Sequence, residues 1–344
     1  MYFKPKYTIT ENLLSNIKRI TEIVTSLNTR RLPGVVFAEL EQRAKELSAY
    51  SSTSIEGNPL PLTDVKRILK ARPTYIRDSE REVLNYNKAL VDLNAMMKRG
   101  GQSFDLELLL HIQSIVTDGL IAKHRLGELR NEPVFVNDPR TRQSIYLPPD
   151  HGDVPKLMND LLEYARLSED KVDPLIVAGI FHKQFVIIHP FVDGNGRTAR
   201  LATKVLLAKM GVDTFNLFSF ENYYNRNVSR YFQEVGELGN YYEIQENTDF
   251  TSWLEYFTSG IIDELLRVSK EIENANFVPP RKLREYHQKI ITYIKKHGSI
   301  SDREYATLTD RAKSTRYVDL RNLANLDLIE PMGKGRATRY FLKK

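Results

Sequence analysis

The chain has 344 residues, 41% of them hydrophobic and 27% charged, which excludes disorder as its main state and allows a sizeable core and more than one domain. It contains no cysteine, so disulfides, thiolate zinc sites and cysteine nucleophiles are excluded. The net charge of +6 is uneven: residues 281–344 hold 16 Lys and Arg against 7 Asp and Glu, and the first 280 residues hold 34 against 37, which suggests two units with different partners.

Met1 to Thr10 lacks the apolar block of a signal peptide, and no apolar run reaches about 18 residues, so the expectation is a cytoplasmic protein with no membrane partner. Apolar residues three and four apart predict helices over Thr8–Leu27, Val35–Ile55 and Asp78–Lys98. The second ends in Ser52-Thr-Ser-Ile-Glu56-Gly57, where helical spacing puts Ser52 and Glu56 on one face and Gly57 can close the helix in the left-handed conformation. A carboxylate there meets the unfavourable end of the helix dipole, which argues for a cationic partner over the plainer reading of a solvated side chain.

Ser103 is expected to cap a helix whose inward face is Leu106, Leu109, Leu110, Ile112, Ile115 and Val116. Pro133-Val134-Phe135-Val136 and Ser144-Ile145-Tyr146-Leu147, around Asn137-Asp-Pro-Arg140, read as a β-hairpin. Further helices are predicted over Val154–Leu167, Asp173–Ile188, Arg197–Lys209, Glu221–Leu238 and Asp249–Ile272. Pro279 and Pro280 cannot continue a helix and mark a linker. Helices over His287–Lys296, Asp302–Leu308 and Lys313–Leu326, then Leu328–Glu330 and Thr338–Leu342 around Gly333-Lys-Gly-Arg336, read as a winged helix-turn-helix. The fold class is thus mainly α with one hairpin, divided into an N-terminal helical region (1–100), a core (101–275), a linker (276–284) and a winged helix domain (285–344). Lys313, Arg316, Arg321 and Arg336 are its candidate DNA contacts; the alternative is a protein-interaction or homodimer module with a solvated basic face.

The chemistry lies in His189-Pro-Phe-Val-Asp-Gly-Asn-Gly-Arg-Thr-Ala-Arg200, a tight loop between two helices. Gly194 and Gly196 permit positive φ and close approach, so backbone N–H groups at a new helix N-terminus can cradle phosphate. Arg197 and Arg200 can clamp neighbouring phosphates, Asp193 offers a hard oxygen ligand suited to Mg²⁺, and His189 can accept a proton near neutral pH. Cradle, clamp, metal ligand and base make a phosphoryl or nucleotidyl transfer site, without the GxxxxGK[ST] of a Walker loop. His182 lacks such neighbours and reads as structural, and a zinc site of His182 with His189 is not supported.

This loop resembles the Fic family signature, HxFx[D/E]GN[G/K]RxxR, at every position. The resemblance implies that His189 removes the proton of a target hydroxyl and that Asp193 holds Mg²⁺ or Mn²⁺ on the α- and β-phosphates of ATP. Asn195 would help bind phosphate, Phe191 would anchor the loop, and Arg197 and Arg200 would hold the β- and γ-phosphates; Gly196 is the form typical of AMP transfer. Ser52 to Gly57 resembles the family's inhibitory motif, [S/T]xxxE[G/N], which implies that Glu56 pairs with Arg200 or, alternatively, orients water to remove AMP. The hairpin resembles the family flap, in which Val134, Phe135, Val136, Ile145 and Tyr146 would dock an extended target strand, and Gly127-Glu-Leu-Arg130 before it also fits. The implied activity is Mg-ATP-dependent adenylylation of a protein, this chain included. The alternatives are a DNA-binding regulator that senses ATP and an enzyme that transfers another nucleotide.

Overall fold

A computed structural model describes residues 3–30, 34–71, 75–100, 103–137, 144–209, 217–277, 285–325, 328–333, 335 and 338–343, without the side chains of 34–36, 274–277 and 325. The chain divides into two compact units, residues 1–29 with 44–268 and residues 30–43 with 269–344. It opens with four helices, α1 (Glu11–Thr29), α2 (Gly34–Ile55), α3 (Leu62–Lys70) and α4 (Asp78–Arg99). Helix α5 (Leu106–Val116), the strands β1 (Val136–Asn137) and β2 (Ser144–Leu147) and helices α6 (Val154–Leu167), α7 (Pro174–Ile188) and α8 (Asn195–Lys209) follow. Helices α9 (Phe220–Arg226) and α10 (Val228–Val235), strand β3 (Gly239–Asn240) and helices α11 (Tyr241–Ile244) and α12 (Thr251–Phe277) complete the helical region.

Helix α7 is apolar on every side and is the innermost element, with Leu175 to Phe185 all buried. Asp173 caps it by accepting from the Leu175 N–H at 2.9 Å, and Pro174 fits the first helical position, where no amide partner is needed. It packs against α6, α8 and α10. Trp253 of α12 donates its indole N–H to the Gly179 carbonyl at 2.7 Å, and a Cβ at Gly179 would stand 2.6 Å from Leu254 Cδ2. Phe220, Tyr224, Tyr231, Trp253 and Phe257 enclose His182, which is fully buried and stays structural.

Three local expectations are corrected. The cap of α5 is Asp105, whose carboxylate accepts from the Leu108 N–H at 3.0 Å; Ser103 lies outside the helix, and Leu108 and Gln113 are buried where Leu106 and Leu110 are only half-buried. The helix expected over Glu221–Leu238 breaks at Asn227, whose side chain accepts from the Arg230 N–H and starts α10 afresh. The hairpin gains a third strand: β1 and β2 are antiparallel with Val136 opposite Tyr146, and β3 joins β2 in parallel with Gly239 opposite Tyr146. Val134 and Phe135 precede β1 rather than forming it.

The second unit holds α13 (Glu285–His297), α14 (Asp302–Ala306) and α15 (Lys313–Asn325), then the antiparallel strands β4 (Ile329–Met332) and β5 (Arg339–Leu342). Its core is Ile290, Ile294, Ile300, Tyr305, Leu320, Leu323, Leu328 and Ile329. Residues 276 and 277 of the expected linker are part of α12, and the rest of it, with Pro279 and Pro280, lies outside the described residues.

Gly179→Val would drive a branched side chain into Leu254 and Phe257. A loss of stability of about 2–3 kcal/mol, read from the urea midpoint, is the expected outcome.

Candidate active site between α7 and α8

His189 is the C-cap of α7, held at φ 50°, a left-handed conformation uncommon for a residue with a side chain. Its Nδ1 lies 3.2 Å from the Val186 carbonyl, which can only accept, so Nδ1 carries the proton and the neutral ring keeps its lone pair on Nε2. That is the tautomer a general base needs. Burial lowers its pKa below the ordinary value and Arg130 adds to the shift, against the Val186 hydrogen bond, Glu56 and Asp193.

The loop then turns on its own side chains. Asn195 accepts from the Phe191 N–H at 2.9 Å and donates to the Phe191 carbonyl at 2.8 Å, and Phe191 is fully buried against Phe185. Asn195 therefore closes the turn with both ends of its amide. Gly194 has φ +84°, and a Cβ there would stand 2.7 Å from Thr117 Cγ2. Gly196 does not have positive φ, contrary to expectation; its Cβ position is 2.2 Å from Glu56 Oε1 and 3.0 Å from an Arg200 amino nitrogen, so the need for glycine is one of space.

The two arginines differ. Arg197 donates to both oxygens of Asp193, at 3.1 and 3.0 Å, and to the Val116 carbonyl at 3.4 Å, with Glu82 4.0 Å away. Arg200, with no exposed surface, donates through Nε to Ser52 Oγ at 2.8 Å and through an amino group to the Ser52 carbonyl at 2.9 Å and to Glu56 Oε1 at 2.6 Å. Burial opposes its charge, but Glu56 and the nearby Tyr231 and Tyr86 outweigh burial and hold its pKa above the ordinary value. Gly57, at φ +92°, ends the turn that presents Glu56.

Asp193 keeps 45% of its side chain exposed, and among the described residues no group of three or more His, Asp and Glu could enclose a metal. One open carboxylate beside a phosphate cradle suits Mg²⁺, which commonly takes one or two carboxylates and fills its other positions with phosphate oxygens and water.

Sequence reading passed over four contributors. Gln113, fully buried on α5, donates to the Asp193 carbonyl at 3.3 Å and accepts from the Gly127 N–H at 2.7 Å; an amide among inward apolar positions was the available signal. Arg130, quoted only as part of a matching stretch, is buried and donates to the carbonyls of His189, Glu132 and Pro149, fixing the start of the flap to the catalytic loop. Glu82 is held by Asn58, which donates to it at 2.7 Å. Tyr231, the fourth, lies 3.5 Å from Arg200 and 3.1 Å from His182 Nε2.

In the flap, Phe135 is exposed, and Val134, Val136 and Ile145 are half-buried. Tyr146 is corrected: it is buried, donates to the Ile187 carbonyl at 3.0 Å and packs with Ile187 and Tyr241, so its side chain offers no surface to a target. In the second unit Lys313 and Arg321 are exposed on α15. Arg316 is committed to both oxygens of Asp302, at 3.0 and 3.1 Å, which removes it as a free DNA contact, and Arg336 lies outside the described residues.

Residues 103–207 match the model of the Fic/DOC family. Over 222 residues the chain is 29% identical to protein adenylyltransferase Fic of Aedes aegypti, covering 58% of this chain and 42% of that protein. Over 167 residues it is 32% identical to the protein of the same name from Nematostella vectensis, covering 47% and 37%. The chain thus spans about two fifths of the length of these relatives. Among solved structures, a Fic family protein from Desulfovibrio desulfuricans superposes with a TM-score of 0.66 at 21% identity, covering 99% of this chain and 98% of that one. Fic-1 from C. elegans gives 0.59 at 19%, covering 76% and 73%. At these identities the two structures bear on the fold alone.

Burial lowers the pKa of His182 well below its ordinary value, helped by Arg200, as burial also lowers that of His189. Both rings are neutral in the fold, whereas each takes up a proton in the unfolded chain below about pH 6.5. The unfolded state then binds more protons, so this stability is complete above about pH 6.5 and is lost as pH falls below it. Urea midpoints are expected to drop between about pH 7 and about pH 5, and His182→Gln is expected to flatten the drop.

Proposed function

We propose that the chain, whose residues 103–207 match the Fic/DOC family model, transfers AMP from ATP to a hydroxyl group of a protein and is restrained at rest by Glu56. The observation that carries the reading is the loop itself. From His189 to Arg200 it offers a base with a free lone pair, an open carboxylate, a glycine turn leading into a helix N-terminus, and two guanidiniums.

In this reading the target oxygen attacks the α-phosphorus, the new O–P bond forms as the bond to the β-phosphate oxygen breaks, and pyrophosphate leaves with that electron pair. His189 Nε2 takes the hydroxyl proton, and its ring is oriented for this by Val186 and by Arg130 beneath its carbonyl. The backbone at the start of α8 faces phosphate, and Arg197 and Arg200 balance the polyanion. Mg²⁺ or Mn²⁺ held by Asp193 would draw charge from the phosphate oxygens. Target docking falls to the exposed edge of β1 beside Phe135. Glu56 takes the guanidinium that the γ-phosphate would need, and its Oε1 stands against Gly196.

Removing Glu56 leaves a buried cation without its carboxylate, a condition an arriving phosphate would relieve. Glu56→Gly is expected to raise incorporation of α-phosphate label by roughly 100-fold. Adding His189→Ala to that variant should remove at least about 100-fold. Intact mass after incubation with each nucleotide identifies the group transferred: a gain other than AMP would redirect the reading, and no gain under varied metals and nucleotides would defeat it.

The charge of the second unit favours a further role for it. We read α13 to α15 with the β4–β5 hairpin as a winged helix that meets DNA phosphates through Lys313 and Arg321. The full chain should then retard duplex DNA in a salt-dependent way, and Lys313→Ala with Arg321→Ala should lower the salt slope by about two. No retardation at low salt would reject it.

A further inference from the structure

Ser48 and Ser52 of α2 and Glu56 in the turn just after it recur every fourth residue, and on α8 Lys204, Arg200 and Gly196 recur at the same interval in the opposite chain direction. The two series meet pair by pair. Lys204 Nζ donates to Ser48 Oγ at 2.7 Å, Arg200 Nε donates to Ser52 Oγ at 2.8 Å, and Glu56 Oε1 fills the space over Gly196. Ser48, Ser52, Arg200 and Lys204 each have at most 1% of their surface exposed.

Behind this stripe the polar contacts continue as a chain. Lys204 Nζ lies 2.9 Å from Glu221 Oε1, and Tyr86 donates to the same oxygen at 2.6 Å. Burial, with Glu221 beside it, raises the Tyr86 pKa well above its ordinary value, so the hydroxyl keeps its proton. Ser52 Oγ accepts from Arg200. The chain runs from Ser48 through Lys204 and Glu221 to Tyr86, beside the pair formed by Ser52 and Arg200. The two cations are each balanced, Lys204 by Glu221 and Arg200 by Glu56. A slip of α2 by one residue would leave Lys204 without Ser48 and Arg200 without Ser52.

We propose that Ser48, Lys204 and Glu221 are positioning residues that fix the register of α2 on α8 and so deliver Glu56 to Arg200. The inference rests on the reading of Glu56 as the restraint. It adds a site two helical turns away that sets how firmly the restraint holds. The strength of inhibition is then a property of the Ser48–Lys204–Glu221 contacts, open to adjustment without touching the catalytic loop.

The test compares Ser48→Ala and Ser48→Val with Glu56→Gly in the full chain, using ATP labelled at the α-phosphate with Mg²⁺, and follows amide exchange over residues 48–57. Loss of the hydrogen bond from Lys204 should raise resting incorporation about tenfold and speed exchange in that segment. In the Glu56→Gly background, Ser48→Ala should change incorporation less than about twofold, because no restraint is left to misplace. A larger change there would mark a general structural role and overturn the proposal. Resting incorporation at the native level in both Ser48 variants, with Glu56→Gly active, also overturns it and leaves the restraint intact. If Glu56→Gly takes no label, the restraint reading has failed, and exchange decides alone: faster exchange over 48–57 supports the register lock, and unchanged exchange rejects it. Should Ser48→Val fail to fold, Ser48→Ala carries both measurements.

Discussion

A guanidinium with no exposed surface is the constraint from which the rest of the site follows. Arg200 cannot stand uncharged, and a buried cation needs both a carboxylate and acceptors for its remaining donors. Ser52 on α2 and Glu56 in the turn that ends it meet that demand, 148 and 144 residues earlier in the chain. Satisfying Arg200 therefore pins α2 to α8 and excludes a side chain at Gly196, and one turn further along α8 the contacts of Lys204 with Ser48 and Glu221 add to the same seam. The same bonds that stabilise the unit occupy the guanidinium of Arg200.

Local devices were the readable part of the sequence. The apolar helix before His189, the glycine turn and the Ser52–Glu56 spacing depend on neighbours within one or two turns, and they sit where periodicity puts them. Boundaries failed where one polar side chain competed with the helix, as Asn227 and Asp105 do by capping the next turn. Strand β3 left no trace because two residues, Gly and Asn, carry no alternation; its position comes from backbone pairing with β2. Arg130, Gln113 and Lys204 were hidden for a different reason. Each acts on a partner more than ten residues away, and sequence alone shows Gln113 and Lys204 only as long polar side chains among apolar ones and Arg130 only as one charge in a polar stretch. Lys204 was the most accessible of these, since it stands four residues after Arg200 as Ser48 stands four before Ser52.

The two signature arginines are held by different means, and the difference bears on how substrate would enter. Arg197 rests on Asp193 within its own loop, an i,i+4 pair whose carboxylate is nearly half exposed. Arg200 rests on a carboxylate from the turn that ends another helix. At rest the four charges cancel. A polyphosphate with its metal brings both signs, so Asp193 and Arg197 can exchange partners with no net loss: the carboxylate turns to a cation and the guanidinium to an anion. Arg200 has no such exchange available, because Glu56 gains nothing in return and must give up a 2.6 Å hydrogen bond for water. Under the proposed function the barrier to a productive complex is therefore concentrated at the end of α2, and whatever shifts that helix would act on catalysis without altering any group proposed to perform it.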